Sequence, residues 1–312
     1  MFDVKFYGVR GSYCTPRREM MGYGGSTSCV AVFKKNKAGL MVPLVIDTGN
    51  GAIALGHDLA KGIQEGSISP SFTLLWTHMH LDHIEGTPFF APFFLPNVHA
   101  YLSGFAEEKY SPEKCLSAYM QQPFFPVAFE KLPAQKSFFA SRNTFYIGQN
   151  GEPLEQKPSG AAMEPLFQID VFKASSRLHP EPGALYYRIS DSEDGARLVC
   201  IWDIEIAYQD EALANEYQAL LTFAKNADLL IHDMMYSEEE YASRTTPVKG
   251  FGHSSYQMAQ ITARRTGAKQ LAAFHYNPLH SDAMLDSIAQ KISPLLIMAK
   301  EGTSITVRRQ ND

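Results

Sequence analysis

Short apolar runs separated by glycine-rich turns divide the first half of the chain. Alternating apolar and polar positions are typical of strands, and such patterns occur over Lys5–Val9, Cys29–Phe33, Val42–Asp47 and Ser71–Trp76. A helical pattern lies near Ile53–Lys61. The stretch from Thr87 to Pro133 is rich in phenylalanine and broken by proline. It predicts a short helix, a strand over His99–Leu102 and a helix over Pro112–Met120.

The second half of the chain starts with strand patterns and continues with helices that alternate with strands. Strand patterns cover Thr144–Ile147, Phe167–Lys173, Ala184–Ile189, Leu198–Trp202, Leu229–Ile231, Gln270–Phe274 and Ser304–Arg308. Helical patterns cover Glu211–Lys225, Ser255–Thr266 and Asp282–Ile292. Two similar halves of this kind predict two β-sheets packed face to face with helices outside, an α/β (α+β) fold. Because no linker interrupts the pattern, we expect one domain over residues 1–312.

Composition places the chain among ordinary globular proteins. The 312 residues are 45% hydrophobic and 20% charged, and the net charge is -5. An acidic chain without a dense Lys/Arg run does not favour nucleic acid as a partner, because nucleic acids bind basic faces. No apolar stretch reaches the roughly 20 residues of a membrane span, and the alternating start Met1–Tyr7 does not resemble a secretory signal. We therefore expect a cytoplasmic protein with no membrane partner.

The segment His78-Met79-His80-Leu81-Asp82-His83 carries the strongest chemical signal in the chain. It directly follows the predicted strand Ser71–Trp76, so a rigid element delivers these side chains into a loop. Imidazole nitrogens and carboxylate oxygens suit Zn²⁺, Mn²⁺ and Fe²⁺. His78 and His80 converge on one ion when the backbone is extended, and Asp82 and His83 then turn towards a neighbouring position. A loop of capping histidines is the alternative interpretation.

Residues of the metal-ligand type also follow other predicted strands. Asp47 follows Leu44–Ile46, His179 lies in the turn after Phe167–Lys173, Asp203 follows Leu198–Trp202, and His275 follows Leu271–Phe274. Each residue alone is more typical of an ordinary turn or cap. The repeat of one arrangement favours a shared site, because an open α/β sheet places its chemistry beyond the carboxyl ends of its strands.

The ordered set of these residues resembles the metallo-β-lactamase superfamily, and the resemblance runs from near Phe2 to about Asp286. Three further segments are similar to its phosphodiesterase branch, which includes ribonuclease Z and the cyclic phosphodiesterases related to phosphoribosyl cyclic phosphate hydrolases. They are Tyr7-Gly8-Val9-Arg10-Gly11-Ser12, Tyr23-Gly24-Gly25-Ser26-Thr27-Ser28-Cys29 and Gly252-His253-Ser254-Ser255. The resemblance implies a four-layer αββα sandwich with the site along one edge.

The resemblance also implies two divalent metal ions, Zn²⁺ or Mn²⁺, with Fe²⁺ as a further option. One ion would be bound by His78, His80 and His179, and the other by Asp82, His83 and His275. Asp203 would bridge both ions, and Asp47 would orient a ligand histidine from behind. Two positions depart from the family pattern: Ser26 stands where asparagine is expected, and Tyr276 stands where relatives often have a second histidine.

A centre of this kind predicts hydrolysis of a small cyclic phosphodiester, either a cyclic nucleotide or a cyclic sugar phosphate. Asp82 and His253 are the predicted catalytic residues. His253 is the candidate general acid, because histidine delivers protons near neutral pH and Gly250–Gly252 lets the backbone bring it close. A cap for the following helix is the alternative role for His253. His232, after a buried-type strand, is a further candidate for orienting a ligand.

Contacts to the substrate are predicted less directly. Arg10, Ser26 and Thr27 either touch the substrate phosphate or brace the sheet. The segment over Thr87–Phe129 is expected to lie in the core or in a subunit contact rather than to form a wall for base stacking. A homodimer is the oligomeric state that the resemblance suggests.

Three other functions share the same scaffold. A ribonuclease Z-type tRNA 3′-processing endonuclease would need a glycine-rich and basic RNA-binding arm, whereas Ile204–Lys249 predicts a helix, a strand and an acidic helix. A thioester or lactam hydrolase fits the fold, but the segment Gly252–Ser255 favours phosphate esters. A non-catalytic binding protein is the third alternative, and the retention of every metal-ligand position argues against it.

Overall fold

The structure is a computed structural model, and it describes residues 1–141, 143–158, 164–206, 213–291 and 296–310. Its strands are β1 (Phe2–Gly8), β2 (Cys29–Lys35), β3 (Met41–Ile46), β4 (Ser71–Leu75), β5 (His99–Ser103), β6 (Gln135–Phe138), β7 (Thr144–Ile147), β8 (Pro153–Leu154), β9 (Phe167–Lys173), β10 (Leu185–Asp191), β11 (Arg197–Ile201), β12 (Leu229–Asp233), β13 (Leu271–Phe274), β14 (Leu296–Met298) and β15 (Ser304–Val307). Its α-helices are α1 (Ala52–Gln64), α2 (Leu81–Ile84), α3 (Pro112–Tyr119), α4 (Ala214–Phe223), α5 (Glu238–Tyr241), α6 (Tyr256–Thr266) and α7 (Asp282–Lys291). Short 3-10 helices cover Arg18–Met20, Thr87–Phe89, Ala91–Phe94, Glu108–Tyr110 and Phe129–Lys131. None of the described helices combines the length and the apolar character needed to cross a bilayer.

Within the described residues, the strands form two mixed sheets. The first has seven strands in the order β15-β1-β2-β3-β4-β5-β6, and the second has eight in the order β14-β13-β12-β11-β10-β9-β7-β8. Neighbours from β3 to β6 are parallel, and so are neighbours from β11 to β14. Because parallel strands end at the same edge of a sheet, the loops that follow them lie side by side.

Three apolar layers hold the sheets and helices together. Buried side chains from both sheets lie between them, among them Phe6, Phe167 and Trp202. A second buried cluster joins the outer face of the first sheet to α1 and includes Leu55. A third joins the outer face of the second sheet to α4 and α6 and includes Leu220. The order of layers is helix, sheet, sheet, helix, which confirms the predicted αββα sandwich.

Three strands at the ends of the sheets were not predicted from the sequence. β6, β8 and β14 are short, and most of their residues are partly or fully exposed. Edge strands of this kind lack the buried face that produces an alternating pattern. The last strand, β15, pairs with β1 and so joins the first sheet, which means that the two sheets do not follow the two halves of the chain. Residues 211, 212 and 292 of two predicted helices lie outside the described residues.

The phenylalanine-rich segment is partly core and partly surface. Phe90, Phe93 and Phe129 are buried, and their rings pack edge to face. Phe89 and Phe124 are 55% and 79% exposed. The short helix expected at the start of this segment is replaced by two 3-10 helices, each with a proline in its first turn. In one continuous α-helix Pro92 would stand beyond the first turn, where it lacks the amide that the Pro88 carbonyl needs, so two short helices form instead.

Candidate metal centre

Three residues of the site stand beyond parallel strands in an uncommon backbone conformation. Asp47 follows β3, Asp203 lies two residues after β11, and His275 follows β13. Each has a φ of 59°, a left-handed conformation that costs a non-glycine residue about 1–3 kcal/mol. The rest of the fold offsets this cost. The same left-handed turn after three strands directs the three side chains into one region.

The loop after β4 and the short helix α2 position four more side chains. His80 is the extended residue that precedes α2, and its carbonyl accepts the amide of His83 at 3.0 Å. Asp82 and His83 therefore lie in the first turn of α2, whereas His78 and His80 lie before it. The Ser12 amide donates to Asp82 Oδ2 at 2.8 Å, so the loop after β1 also holds the Asp82 carboxylate.

The structure brings the seven residues predicted as metal ligands into two neighbouring clusters. One contains His78, His80 and His179; the other contains Asp82, His83, Asp203 and His275, and the donor atoms of each cluster lie within 4.8 Å of one another. In the first, His80 Nδ1 is 3.2 Å from His179 Nε2. In the second, Asp82 Oδ2 is 3.3 Å from His83 Nε2 and 3.2 Å from His275 Nε2.

The Asp203 carboxylate lies between the two clusters and directs one oxygen to each. Oδ1 is 3.9 Å from His78 Nε2 and 4.0 Å from His179 Nε2. Oδ2 is 3.2 Å from His83 Nε2 and 3.1 Å from His275 Nε2. A single carboxylate thus links two sets of ligand-type atoms, which is the arrangement of a bridging ligand in a two-metal site.

Several donor atoms of the clusters are buried without a hydrogen-bond partner among the described residues, namely His78 Nε2, His83 Nε2 and Asp203 Oδ2. An unpaired buried polar atom costs about 1–3 kcal/mol, so cations at these positions would satisfy groups that the chain leaves unpaired. Burial lowers the pKa of His78, and it lowers the pKa of His179 to about 4. Both rings are neutral at pH 7, the form that binds a metal. Nitrogen and oxygen donors of this kind fit divalent ions such as Zn²⁺ or Mn²⁺.

Asp47 lies behind His83 and holds its ring. Asp47 Oδ2 accepts His83 Nδ1 at 2.7 Å and the indole Nε1 of Trp202 at 2.8 Å, while Oδ1 accepts the Thr77 amide at 2.7 Å. Asp47 is fully buried, and these three donors satisfy its charge. With Nδ1 occupied in this way, His83 Nε2 faces the cluster, as the orienting role requires.

His253 is held by an aspartate that the sequence reasoning did not select. Its Nδ1 donates to Asp233 Oδ2 at 2.8 Å. Asp233 Oδ2 also accepts the Asp203 amide at 3.1 Å, and Asp233 Oδ1 accepts the Ser254 amide at 3.2 Å. Burial opposes a charge on His253, but the Asp233 carboxylate outweighs it and raises the pKa of His253 to about 9. The ring is therefore protonated near neutral pH, the state that a general acid needs.

Among the residues that the structure describes, His232 makes no contact that would orient a ligand-type residue, whereas its neighbour Asp233 faces the site. The His232 ring donates through Nδ1 to the Asp233 carbonyl at 2.7 Å, and within the described residues no hydrogen bond or ion pair joins it to the two clusters. Side chains alternate along a strand, so Asp233 at the end of β12 faces the site and His232 faces away. The signal that could have identified Asp233 was present, because it closes a buried apolar run, much as Asp47 and Asp203 follow such runs.

Arg10 braces the fold and is not available to a substrate. Its guanidinium is fully buried and donates to the carbonyls of Gly24 at 2.8 Å, His280 at 2.7 Å and Asn277 at 3.1 Å. These contacts link the loop after β1 to the loop after β13. The structure therefore favours the bracing alternative for Arg10, because its donors are used inside the protein.

Ser26 and Thr27 make hydrogen bonds that hold the turn that contains them. The Ser26 amide donates to Glu301 Oε1 at 2.5 Å, and its carbonyl accepts the amide of Val9 at 2.9 Å. Thr27 is fully buried, and its hydroxyl donates to Glu85 Oε1 at 2.7 Å. The structure thus favours bracing for the Thr27 side chain, whereas the contacts of Ser26 are made by its backbone. Tyr276, the second departure from the family pattern, is a buried side chain whose hydroxyl donates to the Ala273 carbonyl at 2.9 Å.

An Arg10→Met substitution tests the bracing role. Because it leaves several buried carbonyls without their donor, we expect it to lower the free energy of unfolding by about 3 kcal/mol, measured by urea denaturation. The KM for a phosphodiester should not change. Arg17→Met, at an exposed position of the same loop, is the matched control and should leave stability unchanged. A large rise in KM with unchanged stability would instead show that Arg10 contacts the substrate.

The curated proteins whose sequences match this chain are named ribonuclease Z. No family model matches the chain. It is 30% identical over 170 residues to ribonuclease Z of Brevibacillus brevis, a match that covers 49% of this chain and 46% of that protein. It is 25% identical over 299 residues to ribonuclease Z of Thermoplasma acidophilum, covering 89% of this chain and 87% of that protein. The second alignment extends the similarity over most of the chain.

Solved structures with a similar fold cover nearly the whole chain. The metallo-β-lactamase fold protein YhfI of Bacillus subtilis superposes with a TM-score of 0.60 at 18% identity, over 97% of this chain and 98% of that one. A diphosphatase of the PhnP family has a TM-score of 0.61 at 15% identity, over 98% of both chains. The short form of human tRNase Z has a TM-score of 0.54 at 16% identity, over 98% of this chain and 100% of that one. The predicted fold is confirmed: the chain has the metallo-β-lactamase fold.

Proposed function

We propose that this chain is a dinuclear metal-dependent phosphodiesterase whose substrate is a small cyclic phosphodiester, either a cyclic nucleotide or a cyclic sugar phosphate. The observation that carries the proposal is the pair of His/Asp clusters joined by the Asp203 carboxylate. His78, His80 and His179 would hold one ion, and Asp82, His83 and His275 the other. The broader class, a metal-dependent hydrolase acting on phosphodiesters, is supported by the names of the similar proteins.

The residues of the chain divide the work around such a pair of ions. When bound, two divalent ions supply positive charge to a phosphate group and acidify a water molecule. Asp203 keeps the two ligand sets in register, and Asp47 fixes the His83 ring so that only Nε2 faces the cluster. Asp82 is held by the Ser12 amide, which keeps its carboxylate directed at His83 and His275.

His253 would deliver the proton that the leaving oxygen requires. Its Nδ1 is used by Asp233, so Nε2 is the nitrogen from which a proton can move. The ring stacks against His275 with centroids 5.1 Å apart, and its Nδ1 lies 3.9 Å from Asp203 Oδ1. A protonated imidazole thus lies beside the clusters, which supports the role of His253 as the general acid.

Two features support a small substrate. The net charge of -5 does not favour a long polyanion, because binding to many phosphates relies on a basic surface. Between Asp203 and His253, the described residues form α4, β12 and the acidic helix α5. Helix α5 has three glutamates in its first turn, Glu238, Glu239 and Glu240, which would repel a nucleic-acid backbone.

A ribonuclease Z-like tRNA 3′-processing endonuclease is the second candidate. The names of the similar curated proteins favour it. An assay that compares precursor tRNA with 2′,3′-cyclic, 3′,5′-cyclic, 1,2-cyclic ribosyl and linear diesters separates the two. With Mn²⁺ or Zn²⁺ and chelator controls, we expect turnover of at least one cyclic diester and none of precursor tRNA. Efficient cleavage of tRNA alone would establish the second candidate instead.

A further inference from the structure

A buried carboxylate close to Asp203 contacts a turn on the other side of the site. Glu205 is only 9% exposed. Its Oε2 accepts the amides of Gly250 at 2.7 Å and Gly252 at 3.0 Å, and its Oε1 accepts the hydroxyl of Tyr241 at 2.7 Å. Three donors satisfy this carboxylate, as burial of a charge requires. One side chain therefore holds both ends of the turn Gly250–Gly252.

The turn Gly250–Gly252 lies against the back of a ligand-type histidine. The Gly252 carbonyl accepts His179 Nδ1 at 3.2 Å, which directs His179 Nε2 towards His80. A Cβ at Gly252 would lie 2.3 Å from that same Nδ1, so the backbone approaches the ring more closely than any side chain would allow. Gly250 and Gly252 have φ values of 89° and 84°, which other residues rarely adopt.

Backbone contacts tie Glu205 and its neighbour to the same two segments. The Glu205 amide donates to the carbonyl of Leu178, the residue before His179, at 2.7 Å. The Ser254 hydroxyl donates to the Ile204 carbonyl at 2.6 Å, directly after His253. The short stretch Asp203–Glu205 thus contacts the segments that carry His179 and His253 on either side.

We propose that Glu205 is a positioning residue of the metal centre. Its carboxylate fixes the turn Gly250–Gly252, so that the Gly252 carbonyl orients the His179 ring for the first cluster. The same turn sets the position of the next residue, His253, whose ring bonds Asp233. The carboxylate itself touches none of the ligand-type atoms, and it acts through the turn. This proposal rests on the proposed function in one respect, that His179 binds a metal.

Metal binding by Glu205→Ala tests this role without any substrate. Loss of the carboxylate leaves the buried amide of Gly252 and the partly buried amide of Gly250 without their acceptor and releases the turn. We expect the affinity for one of two Zn²⁺ ions to fall about 10–100-fold, measured by competition with a chromophoric chelator. The step affected should be the one that His78→Ala also weakens. Glu205→Gln keeps an acceptor oxygen for both amides and should restore binding, and Tyr241→Phe, which leaves the glycine contacts intact, should bind like wild type.

Unchanged affinity of both ions in Glu205→Ala would overturn the role, and so would equal losses in the Gln and Ala variants. If Glu205→Ala does not fold, Gly250→Ala replaces it: its methyl group meets no atom within 4 Å, but the φ of 89° strains the same turn. It should weaken the same Zn²⁺ step, and normal binding would contradict the proposal.

A second readout separates this role from the proposed function. The His179 ring signals in NMR of the metal-free protein, assigned with His179→Gln, should shift in Glu205→Ala because the ring loses its fixed partner at Nδ1. Wild-type protein that binds two ions but hydrolyses no phosphodiester would contradict the proposed function alone. Ring signals that do not move in Glu205→Ala would contradict the positioning role whether or not the protein binds metal.

Discussion

Asp203→Asn is expected to lower kcat/KM for a phosphodiester by about 10³-fold or more, the largest loss from any single substitution in this chain. The asparagine keeps the shape of the side chain but removes its charge and one of the two oxygens that face the clusters. Asp203 Oδ1 lies 3.9 Å from His78 Nε2, and Oδ2 lies 3.1 Å from His275 Nε2. Without a shared carboxylate the two ligand sets lose the group that joins them. Metal analysis should show fewer than two ions per chain, and steady-state kinetics should show the loss of rate.

Asp170→Asn is the matched control for this substitution. Asp170 is also a buried aspartate of the second sheet, but its partner is Arg188 at 3.0 Å. We expect this variant to lose some stability and to keep its metal content and its rate per folded molecule. If Asp203→Asn retained two ions and a normal rate, the dinuclear centre proposed here would be wrong.

His253→Ala is expected to have the second largest effect, and the effect should depend on the leaving group. A general acid contributes about 10²–10⁴-fold to the rate when the leaving oxygen needs a proton. We therefore expect a loss of that size with alkyl diesters and a much smaller loss with p-nitrophenyl esters, whose leaving group departs without a proton. The measurement is kcat for a series of diesters of increasing leaving-group pKa, with wild type and variant compared at saturating metal.

Asp233→Asn should show the same dependence on the leaving group with a smaller loss. The asparagine can still accept the His253 Nδ1 hydrogen bond, which spans 2.8 Å, but it removes the charge that stabilises the protonated ring. Asp228→Asn, at another buried aspartate near the start of β12, is the matched control and should leave the dependence unchanged. Equal losses for good and poor leaving groups in His253→Ala would show that His253 is not the acid.

Much of the fold could be predicted because a strand that is buried on both faces appears in the sequence as a short apolar run. β3, β4, β11, β12 and β13 are short, largely apolar runs, and a polar residue ends each of them or follows it within two positions. The edge strands β6, β8 and β14 could not be predicted in the same way. Their residues lie at the rim of a sheet, so solvent and packing do not impose a regular alternation.

The ligand-type residues could be recognised in the sequence because the ability to bind a metal is a property of the histidine and aspartate side chains themselves. Asp47, Asp203 and His275 were selected for standing after strands, and the structure brings them together with the His78–His83 loop. The kinks that direct them, each with a φ of 59°, were not visible. Aspartate and histidine adopt the left-handed conformation more often than most residues, but this preference does not say which of them will adopt it.

The pattern of the sequence by itself predicted two packed sheets with helices outside, and the resemblance that its motifs carry implied the two sets of ligand residues and the role of His253. Only the tertiary structure decided which polar groups meet: Asp233 with His253, Glu205 with the turn Gly250–Gly252, and Arg10 with backbone carbonyls. Arg10 and its partner His280 are 270 positions apart along the chain. The type of a side chain is a local property, whereas its hydrogen-bond partner depends on which distant segments the core brings into contact, and that choice is made when the two sheets pack.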